Sequence, residues 1–232
     1  MHRIIQKIRG VFQKKYRRSY SQNGEDMILN FIFKSLNITE PTYLDVGAFD
    51  AFHLSNTAFF YHNGSRGINI EPNPVLFKKI KRYRKHDVNL NIGIATKECR
   101  MNFFVVNKPA LSTFSQNEIT KLEGHPDLRV VRTIPIEVMT INKVIEEYSY
   151  GKCPDLLSID AEGLSYEIIH SLNFQKYRPT IICIETISYS PKRDGIKDTD
   201  LIKEVESHDY VMLADTYLNS IFVDKKKWNS HE

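Results

Sequence analysis

The sequence predicts an α/β protein, a three-layer sandwich in which helices cover both faces of a mostly parallel sheet that ends in an antiparallel C-terminal hairpin. Three observations lead there. Strand-like runs alternate with helical ones along most of the chain, the pattern that builds parallel sheets. The central strand-like runs are apolar on both faces, so helices must cover each side. The last two runs, YVMLADT and SIFVDKK, are separated by a short turn that suits an antiparallel pair.

The elements follow in chain order. Beyond a basic segment at 1–20, SQNGEDMILNFIFKSLN reads as a helix with Met27, Ile28, Phe31 and Ile32 on its apolar face and Ser21 as its cap. TYLDVGA (42–48) is a strand followed by a helix near 54–62, and GINIEP (67–72) a strand followed by a helix from Pro74 to about Arg84. VNLNIGIA (88–95) and MNFFVV (101–106) are further strands. The polar, irregular stretch 107–130 reads as a long loop or a lid. RTIPIEVMT is a strand and INKVIEEY a helix. DLLSIDAEG is a strand, 164–174 a helix, TIICIETIS a strand of β-branched residues and 198–207 a helix before the hairpin. With no internal repeat and no linker, residues 21–232 read as one domain.

Composition narrows the function. The 232 residues are 41% hydrophobic, enough to bury a full core. No run of 18 apolar residues exists and the N-terminus lacks the apolar stretch of a secretory signal. Three scattered cysteines, with no CxxC, argue against a disulfide scaffold or a thiolate zinc site and fit a reducing cytoplasm. Net charge is +4, but residues 1–18 hold seven basic side chains and no acid, leaving 25 basic against 28 acidic residues in the rest. A mildly acidic body argues against a broad nucleic-acid footprint. Within 1–18, Ile4, Ile5, Ile8, Val11 and Phe12 fall at helical spacing among the cations. That segment either packs on the domain or makes peripheral contact with the inner face of an anionic membrane or with a partner.

Ligands of open α/β sheets bind outside the carboxyl ends of the strands. Here those ends carry acids: Asp45 with Gly47, Glu71, Asp160 with Glu162, and Glu185. Acids at the edge of a core are costly unless something pairs with them. Gly47 would let backbone approach a ligand closely. Glu71 stands 26 residues beyond Asp45, where nucleotide-binding folds hold a ribose, the alternative being a helix cap before Pro72. Neither G-x-G-x-x-G nor a P-loop is present, so the usual pyrophosphate cradles are missing. An acid-rich, glycine-poor turn suits a cationic cofactor without phosphate, and S-adenosylmethionine has that character. Asp45 is then expected to face its cationic amino-acid end.

At SQNGED, YLDVGAFDAFHLSNTAFFY, GINIEPNP, LSTFS, DLLSIDAEGLSYEIIHSL and RPTIICIET, the chain resembles the FkbM family of class I S-adenosylmethionine-dependent methyltransferases. The resemblance spans residue 21 to about 187 and implies a seven-stranded, Rossmann-like sheet with a reversed last strand. It further implies O-methylation of a hydroxyl, often on sugars of bacterial surface polysaccharides, and the Lys-, Ile- and Asn-rich composition is compatible with a bacterial source. It assigns Asp45, Gly47 and Glu71 to the cofactor, with Asn56 and Asn91 as weaker contacts and Gln22 and Glu25 closing over the site. Many relatives have a second glycine a few residues after the first, where this chain has Ala51.

An alcohol acceptor needs a base, and Asp160 is the first choice, with Glu162 and Glu185 orienting it or the substrate. His53 is near by chain position. Asp160 and Glu185, with Glu162, could instead hold a divalent metal such as magnesium or manganese. Segment 107–130, with ALSTFS and His125, is either a substrate cover or an ordinary surface loop. The competing readings are a methyltransferase of a non-sugar small molecule or lipid, and a non-catalytic cofactor-binding or membrane-associated module. The absence of [ND]-P-P-[YF] after LLSID weighs against a base or amide nitrogen as acceptor.

Overall fold

A computed structural model describes residues 18–122, 125–187 and 195–230. Apart from Arg18, the expected N-terminal amphipathic helix therefore lies outside the described residues. The elements are α1 (Glu25–Ser35), β1 (Tyr43–Val46), α2 (Ala58–His62), β2 (Gly67–Ile70), α3 (Pro74–Tyr83), β3 (Val88–Leu90), β4 (Gly93–Ile94) and β5 (Cys99–Val106). There follow α4 (Gln116–Leu122), β6 (Val130–Met139), α5 (Ile141–Tyr148), β7 (Leu156–Ile159), α6 (Ser165–Ser171) and β8 (Ile181–Glu185). The chain closes with α7 (Thr199–Ser207), β9 (Tyr210–Asp215), β10 (Asn219–Asp224) and α8 (Lys225–Asn229).

Seven strands form one sheet in the order β3-β2-β1-β7-β8-β10-β9. Only β10 is reversed, pairing antiparallel with both β8 and β9. This is the mostly parallel, Rossmann-like sheet with an antiparallel terminal hairpin that the sequence predicts. Side-chain alternation sorts the two covering layers. Leu44, Val46, Leu157, Ile159, Ile182 and Ile184 pack with α5, α6 and α7. Tyr43, Leu156, Ile181 and Cys183 pack with Leu29, Ile32 and Phe33 of α1 and Phe60 of α2.

Several boundaries differ from the sequence reading. The run 88–95 is two strands, β3 in the main sheet and β4 in a small second sheet ordered β4-β6-β5. Segment 107–130 is not irregular throughout: a 3-10 turn at Pro109–Leu111 and α4 bury Leu111, Ile119, Leu122 and Leu128 against Val106. α1 starts later than expected, with Gly24 at its N-cap in the left-handed region (φ 89°). Ser21 instead accepts a hydrogen bond from the Asp26 amide and donates to its carboxylate.

One row across the sheet breaks the apolar pattern. Register places Asn89, Asn69, Asp45, Ser158 and Cys183 side by side on successive strands. Beneath that row lies a buried ion pair, Arg84 to Asp87 at 2.8 Å, with both side chains almost fully enclosed. Asp87 also accepts from the Tyr43 hydroxyl, the Gly67 amide and Asn69, which leaves its charge well compensated.

Candidate active site

The carboxyl ends of β1, β2, β7 and β8 open into a cavity of about 590 Å³, a size usual for cofactor sites. Its floor includes Asp45, Gly47, Glu71, Ser158, Asp160 and Glu185, and its roof is Leu111–Phe114 with Phe103 from the small sheet. Backbone conformations reserved for few residues gather here. Of the non-glycine residues with positive φ, Phe49, Leu54, Glu162 and Tyr217 line the cavity. Such geometry persists only where neighbours over-determine it. Phe49 is held by donating its amide to Glu71, and Glu162 by the Thr113 hydroxyl donating to its carbonyl oxygen at 2.6 Å. The Thr113 bond also fastens the roof to the turn after β7.

Asp45 points toward the α1–α2 layer and is buried. The Thr57 hydroxyl donates to it at 2.7 Å, and Thr57 in turn accepts from Arg84. Burial pushes the Asp45 carboxyl up, opposed by the Thr57 bond and the Arg84 charge. Glu71 is used by the fold as well as presented to the cavity. Its two oxygens accept the amides of Phe49 (2.9 Å) and Asn73 (2.7 Å), tying the β1 turn to the β2 turn. Burial raises its pKa to about 7 despite those bonds. Gly47 lines the cavity and is also pressed against a neighbour. A Cβ there would stand 1.8 Å from the Asp160 carbonyl oxygen, and φ is +79°. Ala51, where relatives carry a second glycine, is buried and needs no special conformation; its carbonyl accepts from Arg84.

Asp160, Glu162 and Glu185 bring one carboxylate oxygen each to within 4.8 Å of the others. Asp160 is exposed to the cavity, yet protein surrounds that space and raises its pKa to about 6. A hydrogen bond with Glu185 lowers it, and the Asp45 charge raises it. Glu162 and Glu185 are pushed well up by burial and then by the Asp160 charge. A second cavity of about 750 Å³ meets the first at Glu162, Glu185 and Ile187. Glu162 and Glu185 thus stand in the wall between two spaces, with Asp160 beside them in the first.

The remaining expected residues separate into two groups. Gln22 and Asn56 line the cavity, Asn56 reaching toward Ser158 at 3.4 Å. Glu25, Asn91 and His53 do not line it. Glu25 is buried against the β9–β10 turn, accepting from Thr216 and Asn219; burial raises its pKa, but these bonds outweigh that and leave it lowered. Asn91 donates to the carbonyls of Glu71 and Pro72, so it shapes the β2 turn from behind. His53 is an exposed loop residue. Sequence reasoning missed Thr57, Ser158 and Arg84, and only Ser158 carried a signal, as a polar residue inside the apolar run DLLSID.

A family model described as the methyltransferase FkbM domain matches residues 45–212, more than two thirds of the chain. No curated protein matches it. Among solved structures, the chain is similar to a TehB-like SAM-dependent methyltransferase from Corynebacterium glutamicum, at 10% identity and TM-score 0.45, over 97% of each chain. It is also similar to precorrin-6y C5,15-methyltransferase from Geobacter metallireducens, at 13% identity and TM-score 0.40, over 84% of this chain and 85% of that one. The methyltransferase domain of a bacterial Hen1 is 10% identical, with TM-score 0.42, over 87% of this chain and 98% of that one.

Proposed function

The chain belongs to the FkbM family of methyltransferases, and from that premise we propose that it methylates a hydroxyl of a sugar or glycan with S-adenosylmethionine as donor. The observation that carries the reading is the pair of cavities meeting at Glu162 and Glu185, with Asp160 beside them on the first cavity's wall, cofactor-sized space on one side and access for an acceptor on the other.

The donor set fits the cofactor. Glu71 has lone pairs beyond its two amide bonds and can accept from a ribose diol, while Ile70, Pro72, Leu76 and Ile94 offer an apolar wall for a purine. Asp45, Asn56 and Gln22 supply acceptors for an ammonium group. When bound, the cofactor provides a methyl carbon on a sulfonium, open to displacement by an oxygen. The residues do the rest. Asp160, as the least basic of the three clustered acids, takes the acceptor's hydroxyl proton on a carboxylate oxygen. Glu162 and Glu185 hold the acceptor, Glu185 through its bond to Asp160 also fixing the base. The roof at Leu111–Phe114 excludes water, and well-oriented reactants gain roughly 7–11 kcal/mol from positioning.

The same three carboxylates suit a hard divalent cation such as magnesium or manganese, which would bind a sugar diol and lower its pKa. The test is conversion of S-adenosylmethionine to S-adenosylhomocysteine over neutral sugars, sugar nucleotides and oligosaccharides, with and without chelator. A methyl ether on one acceptor is the expected product, and loss of turnover in chelator would move Asp160 and Glu185 from base to metal ligands. Cofactor binding with methyl transfer only to nitrogen, or to no acceptor at all, would overturn the reading.

A further inference from the structure

Helix α3 buries Leu76 and Ile80 and turns Val75, Lys78, Lys79, Lys81 and Arg82 to solvent, with Lys85 and His86 exposed just beyond. Among the described residues none of these cations is in an ion pair. Elsewhere Lys121, Lys143, Lys176, Lys197 and Lys203 each meet a carboxylate. The acid next in sequence, Asp87, faces inward to Arg84 and neutralises nothing outside. Apolar surface stands among the charges: Val75 is 65% and Tyr83 53% exposed.

A chain of rings joins this face to the basic N-terminal segment. Arg82 lies over Tyr83, Tyr83 is 6.2 Å from Phe52, Phe52 stacks on His62 at 4.8 Å, and His62 stacks on Tyr20 at 5.1 Å. Arg18 lies over Tyr20 at 5.2 Å. Arg18, the last of the seven basic side chains before residue 19, therefore stands at one end of a line of rings whose other end is the α3 cations. Residues 19–232 are net acidic even with α3 included, so the α3 face is a basic patch on a mildly acidic body.

We propose that the solvent face of α3, with the Arg18–Tyr20 anchor, is a docking surface for an anionic lipid bilayer. Charge complementarity selects an anionic partner. The exposed valine and tyrosine among lysines select an interface, because amphipathic rings and snorkelling cations settle at headgroup depth. A nucleic-acid backbone would need a long positive track, and the acidic remainder of the body denies it one. The inference stands apart from the proposed reaction, since none of these cations lines either cavity except by way of the helix they share with Leu76.

The experiment is co-sedimentation of the full chain with vesicles of phosphatidylcholine alone and with phosphatidylglycerol added, at low and high salt. Binding only to the anionic vesicles, released by salt, is expected. Each basic residue near such a surface is worth about fivefold in partitioning, so Lys78→Gln, Lys81→Gln, Arg82→Gln and Lys85→Gln together should weaken it several-hundredfold. Melting temperature and S-adenosylhomocysteine affinity should stay at the parent values in that variant. Parent-like vesicle binding by the variant, no binding by the parent chain, or preference for duplex DNA over the vesicles would each overturn the proposal.

Discussion

Replacing Gly47 by alanine would put a methyl carbon 1.8 Å from the carbonyl oxygen of Asp160, where ordinary contact begins at 3.4 Å. The two strand ends would have to part by more than an ångström, and the surrounding bonds oppose it. Gly47 and Ala48 both donate to the Ile70 carbonyl at 3.0 Å, and Asp160 donates to Val46 at 2.9 Å. The left-handed φ alone costs an alanine about 1–2 kcal/mol. Losing one of the enclosed backbone bonds adds about 1–3 kcal/mol. Together these give about 2–5 kcal/mol, and for a chain of this size each kcal/mol lowers Tm by about 2–4 °C. Displacing Asp160 by an ångström should also cost about 10²-fold in turnover.

Thermal melting and titration with S-adenosylhomocysteine separate two explanations of this glycine. If Gly47 exists to let Asp160 approach, Gly47→Ala melts roughly 10 °C lower and loses turnover. If it exists to leave space for a ligand, melting is unchanged and only affinity falls. A variant with parent melting temperature and parent turnover would refute both, and with them the 1.8 Å contact as the reason for the residue.

Other perturbations test neighbouring parts of the site. On the proposal that Asp160 is the base, it acts only when ionised, so the rate should climb as pH rises through about 6; Asp160→Asn should remove that limb and about 10²–10⁴-fold of kcat. Glu71 binds its proton more tightly folded than unfolded, so its share of stability is fullest below pH 4.5 and is lost as pH rises to about 7. The loss amounts to about 3 kcal/mol, and denaturant midpoints of Glu71→Gln against pH should show a flatter profile over that window. Thr57→Val should weaken S-adenosylhomocysteine binding about tenfold by stripping a donor from Asp45, while Thr57→Ser, which keeps the hydroxyl, should bind normally. Asp87→Ala leaves Arg84 buried without its counter-charge and should cost about 3–5 kcal/mol in denaturant unfolding.

What could be read from the sequence was what local pattern determines. The alternation of strands and helices and the acids at Asp45, Glu71, Asp160 and Glu185 all lie within short runs whose periodicity shows where the strand ends. What escaped was decided by distant partners. Arg84 sits in KKIKRYRKHD among cations that look alike, and nothing nearby marks it as the one that turns inward. Its burial comes from Tyr43, Ala51 and Thr57, which supply acceptors more than twenty residues away in the chain. Glu25 looked ready to close over the site, but its partners are Thr216 and Asn219, at the other end of the sequence. Segment 107–130 reads as a long loop or a lid because it is polar and irregular, and its scattered apolar residues make a core only when β5 and β6 lie beneath them.

The three clustered acids are better understood together than one at a time. Unit charges about 4 Å apart repel by about 4 kcal/mol at an effective dielectric near 20, so Asp160, Glu162 and Glu185 cannot all be ionised without a cation among them. Protons resolve the conflict unequally. Asp160 is held near 6, whereas Glu162 and Glu185 are pushed well up, so Asp160 ionises first. A neutral Glu185 then donates to the Asp160 carboxylate, which is why their hydrogen bond lowers one pKa and raises the other. Neighbouring acids driven apart in this way provide a base and a hydrogen-bond donor from the same chemical group. Burial, which makes the cluster costly, is also what sets the order in which the acids ionise, and with it the two roles of the proposed reaction.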